Sequence, residues 1–246
     1  MNKQQLSKPK YNALMASIKQ YFASSDALIH NARNQLKLLD FRGDTLVVKS
    51  FKVPHLLNRI VYTFFRQSKA EKSYLFALKI GRFTPEPIAY STHYQHGLIS
   101  NSYFVAKQFD FDFDIRRPLL EFDFPERELI FKQFALFVYQ LHEQKILHLD
   151  LSPGNILIKR EGIGQYQFKI VDINRMRFMT LSERKRADNF SKLWANDADL
   201  TTILSEYATA AGYEKTAFVP QGLQANQANK NFINFKKRLK GQPVND

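Results

Sequence analysis

The sequence predicts an α+β chain built as two lobes, an antiparallel strand-rich front half and a mostly helical back half. Three observations predict it. Short runs of β-branched and aromatic residues such as TLVVKSF crowd residues 26–110. Helical periodicities, above all ERELIFKQFALFVYQLHEQKI, dominate residues 111–246. Between them lies FDFDFDIRRP, an aromatic and acidic alternation that ends in proline and reads as an exposed connector. With 246 residues the chain can build one large domain or two lobes sharing a cleft at about residues 107–114.

The elements follow in order. Residues 1–25 read as a polar extension, either helical or loosely attached. ALIHNARNQLKLLDF and TLVVKSFKV read as two strands joined by the glycine-containing turn RGD. After Pro54, Leu56, Ile60 and Phe64 recur every four residues beside Leu57, Val61 and Phe65, a helical stripe that breaks near Gln67 and Ser68 before a second helix. TPEPIAY and SNSYFVAKQF read as two further strands around the polar turn HYQHG. In the back half, residues 126–146 and NFSKLWANDADLTTILSEYATAAGY read as helices, and NFINFKKRLKGQPVND as a basic tail.

Composition narrows the partners. The net charge of +13 calls for an anionic one: nucleotide, nucleic acid, an acidic membrane surface or a phosphorylated substrate. With no cysteine, disulfides, thiolate metal sites and cysteine nucleophiles are excluded. The N-terminal stretch lacks a secretory pattern, and no run reaches the roughly 18 to 20 apolar residues that span a bilayer. The expected location is the cytoplasm, with peripheral attachment to the inner face of the cytoplasmic membrane.

ILHLDLSPGNILIKREGIGQYQFKIVDIN, residues 146–174, sets His148, Asp150, Asn155 and Asp172 within and beside apolar runs, where unpaired polar groups are costly. His148, Asp150, Leu151 and Asn155 match H-x-D-L-x-x-x-N, with Leu149 where protein kinases carry arginine. A hairpin follows and ends in Asp172, at the place of a metal-binding aspartate. Phosphoryl transfer needs such a set: a carboxylate to orient the attacking hydroxyl and oxygen ligands for magnesium. A structural assignment stands beside it, in which Asp150 and Asp172 cap turns and Asn155 closes Ser-Pro-Gly-Asn. His148 reads as a loop-supporting residue rather than a proton shuttle.

VVKSF, SKAEKSY, TPEPIAY, LHEQKILHLDLSPGNIL and VDINRMRF together resemble the lipopolysaccharide kinase family, which phosphorylates Kdo or heptose of the inner core on a protein-kinase-like fold. The resemblance runs from about Ile29 to Tyr213. It implies ATP and Mg2+, with Asp150 taking the acceptor proton and Asn155 and Asp172 holding the metal. It further implies Lys49 on the α and β phosphates, Glu71 as the partner of Lys49, and a Kdo- or heptose-bearing glycolipid as acceptor.

Two departures stand out. No glycine-rich loop precedes Lys49; HNARN occupies its place, so Asn31, Arg33 and Asn34 are the residues left to meet phosphate, unless they form an ordinary hairpin. DIN replaces the DFG of protein kinases. After Asn174 no A-P-E segment offers a peptide-docking platform, which favours a small or glycolipid acceptor; Arg175 and Arg177 are candidates to bind its anionic groups. Phe104 and Phe109 are candidates to wall an adenine slot, with core packing as their default. Arg59, Arg66, Lys69 and Lys72 among Tyr62, Phe64 and Phe65 make either a membrane-facing segment or a helix whose apolar stripe packs on its own sheet. The competing functions are a protein kinase, a nucleotide-binding pseudokinase and, with none of its usual motifs, a nucleic-acid module.

Overall fold

The structure, a computed structural model, describes residues 2–243 apart from 7, 32, 33 and 54, and the side chains of 30, 31, 57 and 58 lie outside the description. The chain divides into two units, Met1–Asp110 with Asp172–Asn174, and Phe111–Val171 with Arg175–Asp246.

The first unit runs β1 (Lys3–Leu6), α1 (Asn12–Ala16), α2 (Ile18–Ser24), β2 (Leu28–Asn31), β3 (Gln35–Phe41), β4 (Asp44–Phe51), α3 (Leu56–Phe64), α4 (Lys69–Ile80), β5 (Pro87–Gln95) and β6 (Leu98–Lys107). The six strands form one antiparallel sheet in the order β1-β5-β6-β4-β3-β2. Period-two alternation in β4 sends Leu46 and Val48 to one face, and Lys49 and Phe51 belong alternately to the other. The hairpins close on Arg42-Gly43 and His96-Gly97, all four at positive φ, in the primed geometry that follows strand twist. The polar residues His93 to Gln95 therefore belong to β5 rather than to its turn. The long first run of the sequence splits into β2 and β3 instead of making one strand.

Residues 1–25 are not a loose extension. Tyr11, Leu14, Met15, Ile18 and Phe22 recur at three- and four-residue intervals, and all five are buried in one cluster with Leu46, Val48, Ile88 and Val105. On the other face, Ala70 and Tyr74 of α4 pack with Phe51, Tyr90 and Phe104. Ser68 caps the start of α4: its Oγ accepts the Glu71 N–H at 3.0 Å and meets the Thr92 hydroxyl at 2.7 Å. The expected stripe on α3 divides: Leu56, Ile60 and Phe64 are exposed, Val61 is half-buried, and the Leu57 side chain lies outside the described residues.

The second unit runs β7 (Phe113–Asp114), α5 (Arg116–Leu120), α6 (Arg127–Glu143), β8 (Ile146–Leu147), β9 (Ile156–Gly162), β10 (Gln165–Ile170), β11 (Arg177–Phe178), α7 (Glu183–Asn189), α8 (Asp197–Ala211) and α9 (Lys215–Leu239). The aromatic and acidic stretch is only partly a connector. Phe113 and Ile115 are buried, β7 pairs with β9, and Asp112 and Asp114 accept the backbone N–H groups of Arg160 and Arg116 at 2.7 and 2.9 Å. The expected basic tail is, as far as Leu239, the end of α9. That helix approaches α8 closely at Gly222, where a side chain would collide with Leu204. Among the described residues no helix is long and apolar enough to cross a membrane.

Polar groups also bind the helices together. His142 of α6 hydrogen-bonds Tyr207 of α8 through Nδ1 at 2.7 Å and Asn189 of α7 through Nε2 at 3.1 Å. Asn189 Oδ1 can only accept, so Nε2 carries the proton and Nδ1 accepts from the phenol. Burial holds the His142 pKa down at about 4.

Two outcomes are expected from this packing. Leu14→Ala, which empties a fully buried position in the N-terminal segment, lowers stability in urea unfolding by about 2–5 kcal/mol. His142 is neutral when folded, whereas the unfolded chain takes up its proton below about pH 6.5. The folded state is therefore destabilised as pH falls from 6.5 towards 4, by up to roughly 3 kcal/mol. His142→Gln, which cannot titrate, should remove that part of the pH slope; equal slopes in both proteins would show that His142 is not what excludes the proton.

Candidate active site

The first unit carries Lys49 on β4, opposite Phe104 of β6 and Leu36 of β3. Its ammonium meets Asp172 Oδ1 at 2.5 Å, with the lysine side chain 15% and the aspartate 29% exposed. Asn174 donates Nδ2 to the same oxygen at 2.8 Å. Asp172 holds a φ of 56°, a left-handed conformation that aspartate tolerates better than bulky residues and that recurs at functional sites. Sequence analysis brought Lys49 and Glu71 together, and the structure does not: among the described residues no ion pair joins them. The Glu71 charge is felt instead by the Tyr90 phenol, whose pKa is raised first by burial and then by that charge.

The residues expected at the phosphates lie around the β2–β3 turn. Asn31 pairs with Gln35 through the backbone, and Asn34 Oδ1 accepts the Lys52 N–H at 3.4 Å. Arg33 and the side chain of Asn31 lie outside the described residues. Phe104 is half-buried against Phe51, Tyr74 and Tyr90, as core packing predicts, and Phe109 is likewise half-buried.

In the second unit, residues 148–155 form the loop between β8 and β9. His148 is 2% exposed and both its ring nitrogens are engaged. Nε2 donates to the Val171 carbonyl at 2.9 Å and Nδ1 accepts the Asp150 N–H at 3.1 Å, an arrangement that defines the neutral tautomer protonated on Nε2. The His148 carbonyl accepts Nδ2 of Asn189 at 2.9 Å, which links the loop to the His142 and Tyr207 pair. Asn155 donates Nδ2 to the Asp150 carbonyl at 2.9 Å and to Ser152 Oγ at 3.0 Å, and its own carbonyl accepts the Val171 N–H at 3.0 Å. The main chain of Asp150 is thus held on both sides while its carboxylate stays half-exposed. Arg175 lies 3.5 Å from Asp150 Oδ2 as a surface ion pair, and Arg177 is exposed on β11 beside Leu147.

A metal must take what these side chains offer. Asn155 of the second unit offers an amide oxygen and Asp172 of the first a carboxylate, each a hard donor of the kind that suits magnesium. Among the described residues no group of three His, Asp or Glu forms a protein-built cage. The loop support from Asn189, His142 and Tyr207 was missed in the sequence. Its members lie up to 65 residues apart, with no shared motif to join them.

Comparisons with known proteins bear on the fold and the family. A solved structure described as WaaP in complex with acyl carrier protein superposes with a TM-score of 0.62, covering 93% of this chain and 97% of that one at 12% identity, which establishes a shared fold. A "Probable serine/threonine-protein kinase abkB" of Dictyostelium discoideum is 26% identical over 122 residues, 48% of this chain but only 18% of that relative's length. The model of the lipopolysaccharide kinase (Kdo/WaaP) family matches residues 67–209. That match covers more than half of the chain and includes the H-x-D-L-x-x-x-N loop and the DIN segment, so the chain belongs to the lipopolysaccharide kinase (Kdo/WaaP) family, phosphotransferases of the protein-kinase-like superfamily.

Proposed function

We propose that the chain transfers the γ-phosphoryl group of ATP to a sugar hydroxyl of the lipopolysaccharide inner core, with Kdo the preferred acceptor and heptose the next. The observation that carries the proposal is the Asp150 loop: a carboxylate half-exposed on a main chain that His148 and Asn155 hold on both sides. Such a group can orient a nucleophile at little reorganisation cost.

In this reading the acceptor oxygen attacks the γ-phosphorus in line, the bond from that phosphorus to the bridging oxygen of ADP breaks, and the hydroxyl proton passes late to Asp150. Asn155 and Asp172 are the residues that would hold Mg2+, which would neutralise charge on the nucleotide phosphates. Lys49 contacts the α and β phosphates, exchanging its carboxylate partner for phosphate oxygens. Glu71 acts through α4 and Tyr90 rather than through an ion pair with Lys49. Asn34, with Asn31 and Arg33, lies in the turn assigned to the phosphates, and Arg175 and Arg177 bind acidic groups of the acceptor. An acceptor carried on lipid and a cytoplasmic supply of ATP assign the reaction to the inner face of the cytoplasmic membrane. The WaaP structure includes acyl carrier protein, which makes such a carrier a partner worth testing.

The kinase-named relative supports a second reading, transfer to Ser or Thr side chains. One assay separates them: labelled γ-phosphate with Mg2+ is offered to Kdo-bearing lipid A, to a heptose-bearing core and to a protein mixture. Label is expected on the Kdo glycolipid. Asp150→Ala should reduce it by about three orders of magnitude or more while leaving ATP affinity within a few-fold. Unchanged turnover in Asp150→Ala would remove that residue from its role. Label on protein alone would favour the second reading.

A further inference from the structure

The attachment of α3 is inverted. An ordinary surface helix buries its apolar stripe and shows its polar face to water. Here polar residues one turn apart make the attachment: Arg59 Nε donates to the Ile99 carbonyl at 2.8 Å, and the Ile99 N–H donates to Thr63 Oγ1 at 2.9 Å. The Thr63 hydroxyl also donates to the Arg59 carbonyl at 2.6 Å, which fixes the turn that joins the two anchors. One row of apolar residues faces solvent, with Leu56 62%, Phe64 68% and the following Phe65 79% exposed and Ile60 exposed between them, while Val61 and Tyr62 are half-buried. Leu56, Ile60 and Phe64 stand at successive turns, so they project as one row. Exposed aromatic and aliphatic side chains grouped in this way mark an interaction surface.

The charges around the row indicate the partner. From Thr45 to Ala70 the chain has Lys49, Lys52, Arg59, Arg66 and Lys69 and not one Asp or Glu. Lys52 and Arg66, on either side of α3, are exposed. Large apolar side chains on a convex helix, flanked by the exposed cations Lys52 and Arg66, suit the interface of an anionic bilayer: rings enter the acyl boundary and ammonium and guanidinium groups meet headgroup phosphates. A second copy of the chain would bring the same cations face to face, which opposes self-association through this surface. A nine-residue helix cannot cross a membrane, and no described helix can, so the contact lies in the plane of the interface.

We propose that α3 with Phe65 is the element by which this protein docks on an anionic membrane, Leu56, Ile60, Phe64 and Phe65 inserting and Lys52 and Arg66 meeting the headgroups. The assignment does not rest on the identity of the phosphate acceptor, because vesicle binding is read without turnover.

The test is sedimentation of the full chain with vesicles of phosphatidylcholine, alone or mixed with phosphatidylglycerol. The wild-type protein should pellet with the anionic vesicles only, and less as salt rises. Phe64→Ser with Phe65→Ser should weaken this binding by about tenfold or more, with the thermal unfolding midpoint and ATP affinity unchanged. Equal pelleting of wild type and double variant would overturn the proposal. So would loss of pelleting on Phe232→Ser with Phe235→Ser instead, since those exposed aromatics at the basic end of α9 are the competing surface. Concentration-dependent self-association abolished by the α3 substitutions, with vesicle binding intact, would assign the face to a second copy and also overturn it. A Phe64→Trp variant supplies an independent reading: its emission should shift to the blue on anionic vesicles, over the background of Trp194, and an unshifted emission would show that the row does not insert.

Discussion

His148 is buried among apolar neighbours, so each of its polar atoms must find a protein partner or leave an unmet desolvation cost. Its ring takes the Val171 carbonyl on one side and the Asp150 amide on the other, and its carbonyl takes Asn189. These bonds fix the main chain at Asp150 and at Val171, the last residue before Asp172. One neutral imidazole thus fixes the backbone that carries the Asp150 carboxylate. The support continues through Asn189 to His142 and Tyr207, where burial keeps the second histidine uncharged and its hydrogen bonds directional. A protonated ring at either position would have two donors where one acceptor role is needed.

Within the first unit, Lys49 and Asp172 neutralise one another at 2.5 Å with both side chains largely screened from water. Partly buried charges need such a pairing because desolvating either alone is unfavourable. Asn174 adds a second donor to the same carboxylate oxygen, and the left-handed backbone at Asp172 is held with it. Glu71 makes no ion pair with the lysine, and helix α4 joins the sheet by the packing of Ala70 and Tyr74 on Phe51 and Tyr90. The proposed exchange of Asp172 for phosphate oxygens at Lys49 keeps the ammonium paired throughout.

The sheet of the first unit has its two faces covered by unequal means. The N-terminal helices supply five buried side chains to one face and α4 covers the other. With both apolar faces satisfied, α3 attaches through hydrogen bonds at Arg59 and Thr63, and its apolar row is left for a partner outside the chain. Nothing in the local sequence marks this inversion. The same stripe would read identically on a helix buried in a core.

Much of the fold and half of the site were legible because they are local. The turn chemistry of Arg42-Gly43 and His96-Gly97, the alternation of β4, the period of α6 and the spacing from His148 to Asn155 act over a few residues, and the sequence by itself determined them. It also placed Asp172 beside a strand end, although the strand stops at Ile170, two residues earlier. Tyr11, Leu14, Met15, Ile18 and Phe22 have helical spacing too, but scattered singly among polar residues they did not reveal what they pack against. Only the tertiary structure decided which carboxylate meets Lys49, since the competitors lie 22 and 123 residues away in sequence and distance in space alone selects between them. It likewise decided which face of α3 is bound and which histidine lies beneath the catalytic loop. Those outcomes depend on desolvation and on partners from remote segments, terms that no local pattern contains.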